Sequence, residues 1–462
     1  MSAASSLSQA LTELARSFSG QLLRPGDPGY EEARKVHNGL VDKRPALIAR
    51  CAGVADIADA VRLGQELNLE VAVRGGGHNV TGRATTEGGL MIDLAGMKGI
   101  HVDPRTRTAR AQGGVTWAEY NRETQLHGLA TTGGAVSSTG IAGLTLGGGL
   151  GWLMGRHGLA LDNLRSVEIV TADGEARTAS ADENPDLFWA VRGGGGNFGV
   201  VASFEYKLSP IGPMVTGGLV AHPFDQARDM LRFYRDATAA APDDLTIFAG
   251  LIHAPDGSGV KLAAMVACHC GPLKVGEAET RRVKTYGSPV VDALGPISYC
   301  QQNAMLDAAY PRGALNYWKS NFLSSLSDDA IDTIVECFAT CPTPMGQILI
   351  EHFHGAVCRV PVADAAYAQR GEGYNLVILS EWQDRTMNER CIGWARDSYG
   401  AMKAFMTPGR YLNYLEEDAA KDAVAAAYGP NYARLQQLKA KYDPGNLFHM
   451  NQNIRPAKGA GS

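Results

Sequence analysis

The sequence predicts an α+β protein. One part is a short α/β unit with glycine-rich turns, and another is an antiparallel sheet backed by helices. Three observations carry that prediction. Between Arg44 and Asn79 a strand-like run, a helix-period run and a second strand-like run end in Arg74-Gly75-Gly76-Gly77-His78-Asn79. That order is an α/β unit with a ligand turn at the carboxyl end of its strand. Beyond Pro210-Ile211-Gly212-Pro213 the glycine clusters vanish, and long strand-like runs alternate with helices in blocks, as in an antiparallel sheet covered on one face. After Tyr411 the pattern changes again. The expected division is residues 1–209, 210–406 and 407–462, the last segment returning to the first.

Taken in order, Leu7, Leu11, Leu14 and Phe18 stand at helical spacing within residues 1–22. Arg44–Cys51 reads as a strand, Val54, Ile57, Ala58 and Val61 as a helix, and Leu69–Val73 as a strand. Short strands follow at Leu90–Leu94, Ile100–Val102 and Thr108–Gly113, then a helix from Thr116 to His127. Gly133–Gly158 is the longest glycine-rich stretch. Val167–Thr171 is a strand closed by Ala172-Asp173-Gly174. Asn184-Pro185 opens a helix, with Asn as N-cap and Pro at the first helical position, and Gly193 ends it. Val200–Leu208 is the last strand of this part. In the middle segment the strands are Leu245–Ile252, Val260–His269, Ile348–Phe353 and Leu376–Trp382, against helices at 223–240, 274–285, 327–340 and 386–405. No internal repeat is present.

A chain of 462 residues suits two or three domains. Its net charge of −5 offers no basic excess for nucleic acid or an anionic membrane. No run of 18 apolar residues occurs, and the first twenty residues carry no apolar stretch fit for export. The expectation is a cytoplasmic enzyme, monomeric or homodimeric. The eight cysteines show no disulfide spacing. Cys268-His269-Cys270 lacks a second ligand pair, so no metal is expected there.

Gly194-x-Gly196-x-x-Gly199 matches the dinucleotide fingerprint, but in the wrong context. The fingerprint needs a strand before it, a helix after it and an acidic residue about 20 positions on. Here a helix precedes, a strand follows, and Leu219 holds the acidic position. Neither nicotinamide dinucleotide is expected to bind there. The three glycine stretches Arg74–Asn79, Gly133–Gly151 and Arg192–Gly199 suit a pyrophosphate instead, because successive main-chain N–H groups form anion-binding concavities. No Lys or Arg lies within Gly133–Gly151, which leaves N–H dipoles and the hydroxyls of Ser137, Ser138 and Thr139 as donors.

These motifs, in this order, resemble one family. They are Val71-Ala72-Val73-Arg74-Gly75-Gly76-Gly77-His78-Asn79, Gly147-Gly148-Gly149-Leu150-Gly151, Asp186-Leu187-Phe188-Trp189 running to Gly199-Val200-Val201, Tyr411-Leu412-Asn413-Tyr414 and Asn451-Gln452-Asn453-Ile454. The chain is similar to the FAD-linked oxidases of the vanillyl-alcohol-oxidase superfamily, with a two-subdomain PCMH-type FAD-binding fold, and to its berberine-bridge-enzyme-like group. The resemblance implies FAD contacts at Arg74, Gly75, Gly76, Gly77, His78, Asn79 and Gly82. It implies others at Ser138, Thr139, Gly140, Gly143, Leu144 and Gly147, and at Asn197, Gly199, Val200, Val201, Tyr411, Asn413, Asn451 and Asn453. It implies a bond from His78 to the flavin 8α-methyl carbon. Bicovalent relatives carry a cysteine where this sequence has Val136, and no Cys lies between Cys51 and Cys268, so a single bond is expected.

Oxidation by a flavin needs a base for the heteroatom proton and a C–H aimed at the flavin. Strand alternation puts Gln347, Leu349 and Glu351 on one face. Glu351 is the candidate base, its carboxyl expected to be raised by burial. Tyr411 and Tyr414 are candidates through the family motif, in which a nearby cation acidifies a tyrosine, and Arg410 adjoins them. Thr139 and Leu144 match flavin-edge positions of relatives. The expected reaction is hydride transfer from an alcohol- or amine-type carbon of a small organic substrate, with O2 as acceptor. The alternatives are a dehydrogenase with another acceptor, a carbohydrate oxidase, or an oxidative cyclase.

Overall fold

The computed structural model describes residues 14–416, 418 and 422–458. Its strands form two sheets in the first half and a larger one in the second. In the first sheet, β1 (Gln21–Leu23), β2 (Leu47–Arg50), β3 (Val71–Arg74) and β4 (Leu90–Asp93) take the order β1-β2-β4-β3, with β4 parallel to both β2 and β3. Parallel pairing needs a crossover. The helix Val54–Glu66 carries the chain from β2 over to β3, burying Ile57, Ala60 and Val61 in one core with Leu47, Leu90 and Ile92, and the glycine-rich stretch 75–89 brings it back to β4 between them.

The second sheet is antiparallel. It contains β5 (Ile100–Asp103) and β6 (Thr108–Gln112), then, past the short β7 (Leu129–Ala130), β8 (Leu164–Val170), β9 (Ala176–Ser180) and β10 (Val200–Lys207), in the order β5-β6-β10-β8-β9. A two-residue pairing of β7 with β11 (Ser209–Pro210) closes this half.

The third sheet runs through β12 (Met214–Pro223), β13 (Leu245–His253), β14 (Lys261–His269), β15 (Val291–Asp292), β16 (Gly295–Ser298), β17 (Leu315–Leu323), β18 (Gln347–Phe353) and β19 (Gly373–Trp382). Its order is β15-β12-β14-β13-β18-β19-β17, with β16 on β12, and every pairing is antiparallel. Alternation divides its faces. Ile247, Ala249, Ile348, Ile350, Leu376 and Ile378 share a core with helices Ala227–Thr238, Asp328–Ala339 and Asn388–Met402. Phe248, Leu349, Glu351, Val377 and Leu379 point the other way, toward the glycine turns.

The C-terminal helix Tyr432–Tyr442 places Leu435 and Leu438 in a core with Phe188, Phe198, Val201 and Phe204, joined by Ile454. Lys439 is fully buried there. Its Nζ donates to the Asn197 carbonyl at 2.7 Å and the Phe448 carbonyl at 2.9 Å, and pairs with Asp443.

Several elements differ from expectation. Strands β9, β12 and β17 were not anticipated. In β17, Asn316, Lys319, Ser320 and Asn321 blur the alternation because both faces carry buried polar contacts. The Gly133–Gly158 stretch contains helices Ile141–Leu146 and Met154–His157, too short and glycine-interrupted to show a period. Asn184 sits at φ 48° without capping its helix, and its amide donates to the Thr178 carbonyl instead. Gln21–Leu23 is strand rather than helix, while Leu7 and Leu11 lie outside the described residues.

Candidate active site

The two glycine loops that follow β3 and precede helix Ile141–Leu146 touch back to back. A Cβ on Gly76 would lie 2.5 Å from the Gly140 nitrogen, and one on Gly140 would lie 2.5 Å from the Gly76 nitrogen. Only glycine permits that approach. The loops floor a long cleft whose roof is the inner face of the third sheet.

Of the residues predicted for the cofactor, Gly75, Gly76, Gly77, His78 and Asn79 line this cleft along one loop. Thr139, Gly140, Gly143, Leu144 and Gly147 line it along the other, and Gly199, Val201, Asn413 and Asn451 toward its far end. Six others stand behind this surface. Arg74 is bonded to Asp93 through both Nε and Nη2, at 2.9 and 2.5 Å, and ties the end of β3 to β4. Gly82 turns at φ 70° against Val41. Ser138 lines a neighbouring cavity. Asn197 bonds to Gly194, Gln452 and Ile454. Val200 is fully buried, and Asn453 has its Oδ1 buried without a partner among the described residues.

Glu351 lies on β18 beside Phe248 of β13 and Asn375 of β19. It is 4% exposed, and it is the only carboxylate lining the cleft among the described residues. Asn375 Nδ2 donates to its Oε2 at 2.6 Å and Tyr414 Oη to its Oε1 at 3.1 Å. Burial pushes the carboxyl up to about 7, and those two donors hold it from rising further. A carboxyl that titrates near neutrality is poised to take a proton.

The tyrosines have different partners. Tyr411 Oη accepts the N–H of Gly149 at 3.0 Å and of Leu150 at 3.2 Å, and the Asn413 amide at 3.1 Å. Its pKa is nonetheless pushed up to about 12, burial outweighing those donors. Tyr414 is raised as well, by burial and then by the Glu351 charge. The neighbouring cation does not acidify either one. Arg410 lies over the Tyr399 ring, and its Nη1 donates to the Ser320 carbonyl. His352 faces the helix layer and stacks on His354, away from the cleft.

Sequence reasoning did not find Asn375, nor the apolar wall beside Glu351. Val80, Tyr310, Trp318, Val377 and Leu379 form one cluster there, joined by Leu349 and Tyr414. The alternation of Leu376–Trp382 already put Val377 and Leu379 on one face. Trp318 and Tyr310 needed the fold, since β17 was unrecognised.

The family profile described as "FAD binding domain" matches residues 45–180, and that of "Berberine and berberine like" matches residues 410–455. An (R)-6-hydroxynicotine oxidase of Paenarthrobacter nicotinovorans is 31% identical over 95% of this chain and 97% of its own. The chain belongs to the berberine-like FAD-linked oxidoreductases. A crystal structure of 6-hydroxy-D-nicotine oxidase from Arthrobacter nicotinovorans superposes on this oxidoreductase with a TM-score of 0.87 at 30% identity, covering 96% of this chain and 99% of the other. A xylooligosaccharide oxidase of Thermothelomyces thermophilus is 28% identical over 91% of this chain and 89% of its own. The cleft of this FAD-linked oxidoreductase fits the cofactor on its own geometry. Its back-to-back glycine loops bring main-chain N–H groups to one place, as a pyrophosphate requires, and Leu94, Ala142, Leu146 and Val201 offer apolar walls for flat rings.

Proposed function

We propose that this enzyme oxidises an amine-bearing carbon of a small, largely apolar substrate, with FAD bonded once to His78 and O2 as the acceptor. The observation that carries the reading is Glu351, the one carboxyl lining the cleft among the described residues, raised by burial to about 7 beside an apolar and aromatic wall. Bound FAD supplies the two-electron acceptance and passes the electrons to O2, giving H2O2.

The chain's own residues do the rest. Trp318, Tyr310, Leu349 and Leu379 exclude water and hold the apolar body of the substrate. Glu351, ionised, takes the proton from the ammonium nitrogen, so that the nitrogen lone pair is free when hydride leaves the adjacent carbon. Tyr414 and Asn375 hold the carboxylate in place through its two oxygens. His78 is a suitable nucleophile toward carbon, because burial keeps its imidazole neutral, lowering it to about 3.

A carbohydrate substrate is the second reading, favoured by the xylooligosaccharide-oxidising relative. The wall speaks against it, since each buried sugar hydroxyl needs a hydrogen-bond partner and this surface is mostly hydrocarbon. The test is H2O2 formation from a panel of ring-bearing amines, alcohols and oligosaccharides, with intact-mass measurement of the purified protein. Turnover of amines and one FAD adduct on the His78 peptide are expected. Turnover of oligosaccharides alone, or an adduct on cysteine, would overturn the reading. His78→Ala should fold and bind FAD reversibly.

A further inference from the structure

Behind His78 lies a second histidine that no motif marks. The His37 and His78 rings stack with centroids 4.0 Å apart and planes inclined by 20°. His37 is 6% exposed, and the Nε2 atoms of both rings are buried without a hydrogen-bond partner among the described residues. Burial lowers His37 to about 4, so the contact is between two neutral rings near pH 7. Among the described residues no hydrogen bond at Nε2 holds the His37 ring. Its backbone is held instead. The His37 N–H donates to the Gly77 carbonyl at 2.9 Å, and its carbonyl accepts from Gly313 N–H at 2.8 Å.

The next residue tightens this arrangement. Asn38 Nδ2 donates to the carbonyls of Val80 at 2.6 Å and Asn316 at 2.8 Å, while its Oδ1 accepts the N–H of Leu40 and Asn316. His37-Asn38 is therefore bonded on one side to the turn Gly77–Val80 and on the other to β17 of the third sheet. That is a backbone-anchored backing for one ring on a turn whose glycines have no side chains of their own to hold it.

We propose that His37 is a positioning residue for the covalent attachment of FAD. Its flat face fixes the plane of the His78 imidazole, so that the attacking nitrogen points into the cleft. The new N–C bond would replace one C–H bond of the flavin 8α-methyl group; the C–H and imidazole N–H hydrogens would leave as protons, and the electron pair left on the flavin would pass to O2, the acceptor already proposed, to give H2O2. The proposal rests on the reading that FAD is bonded to His78. Orientation of this kind governs rate, and a misplacement of about 1 Å costs roughly 100-fold.

The experiment compares His37→Phe, which keeps a flat ring, with His37→Leu, which keeps bulk without a plane. FAD is added to protein expressed under riboflavin limitation, and the adduct is followed by intact mass and acid-stable flavin. Reversible FAD affinity and melting temperature are measured beside it. His37→Leu should bind FAD but form the adduct roughly 100-fold more slowly, on the scale of that misplacement, and His37→Phe should restore most of the rate. If the leucine variant does not fold, His37→Met takes its place. A leucine or methionine variant that forms the adduct at the parent rate overturns the proposal. So does a phenylalanine variant as slow as leucine, which would show that the imidazole acts chemically rather than as a plane. A parent protein with no adduct on His78 refutes the linkage itself, and is told apart by that measurement alone.

Discussion

Glu351 and Tyr414 form a pair whose titration is open to test. The Glu351 carboxyl lies well above its ordinary value of 4.5, at about 7, and must be ionised to take a proton. Flavin reduction under anaerobic conditions should therefore rise with pH through about 7. Glu351→Gln should keep FAD, lose that pH limb, and slow reduction by roughly 10²–10⁴-fold, the contribution of a positioned base. The linkage has a definite sign. A raised folded-state pKa means stability that is present below the unfolded value and lost as pH rises through the folded one. Above about pH 7, Glu351→Gln should then melt higher than the parent protein. Tyr414→Phe removes a donor that lowers the carboxyl, so the limb should move to higher pH. Tyr411→Phe should leave the limb in place and cost stability of roughly 1–3 kcal/mol, because the buried N–H groups of Gly149 and Leu150 lose their acceptor. Equal shifts of the limb in both variants would refute this division of roles. At this scale the sequence shows only what depends on local pattern. The glycine flanks of His78 and the period-2 face of Glu351 are local. Asn375 and His37 are not, since each acts on a residue that only the fold brings near.

The elements that meet at the cleft work because two backbones touch. Gly76 and Gly140 leave no room for a methyl group, and the atoms in the way are main-chain. Gly76→Ala should force the loops apart and weaken FAD binding, while the cores of both halves stay intact. Flavin content after purification and far-UV circular dichroism check this, and full FAD loading in Gly76→Ala would contradict the tight approach. Element identity was legible in Leu245–Ile252 and Ile348–Phe353, because a short, mostly apolar run of strand length is what a strand buried on both faces presents. It failed in β17, whose Lys319 pairs with Glu416 and Asp418 while Trp318 faces the cleft. The apparent fingerprint at Gly194–Gly199 was legible for the opposite reason, because its context contradicts its pattern. Its residues form a turn between helix Pro185–Val191 and β10, the reverse of the order that nicotinamide binding needs. NADH and NADPH should accordingly leave the flavin oxidised in stopped-flow mixing. Bleaching at a rate comparable with turnover would restore a reductase reading.

At the scale of the whole molecule, the two ends of the chain depend on each other. The tail contributes Leu435, Leu438 and Ile454 to the core that holds Phe198 and Val201, and Asn413 and Asn451 to the cleft. Lys439 concentrates that dependence in one atom. Its Nζ ties the carbonyl of Asn197, beside the cleft-lining Gly196, to Phe448 and Asp443. Burial lowers its pKa and the Asp443 carboxylate opposes that shift. Removing one member of such a pair leaves the other buried and uncompensated, at a cost of roughly 3–5 kcal/mol. Lys439→Met should therefore lower the melting temperature markedly and weaken FAD binding, because Asn197 stands directly behind the cleft-lining Gly196. In the His78→Ala background, which removes the proposed covalent bond, this should appear as a higher dissociation constant. The double change Lys439→Met with Asp443→Leu replaces both charges by hydrocarbon and should recover much of the stability. It should not recover FAD affinity, because the bond to the Asn197 carbonyl is still missing. Calorimetry and flavin fluorescence titration on the three proteins separate these effects. If Lys439→Met keeps both its melting temperature and its FAD affinity, then the tail packs against the cleft without organising it.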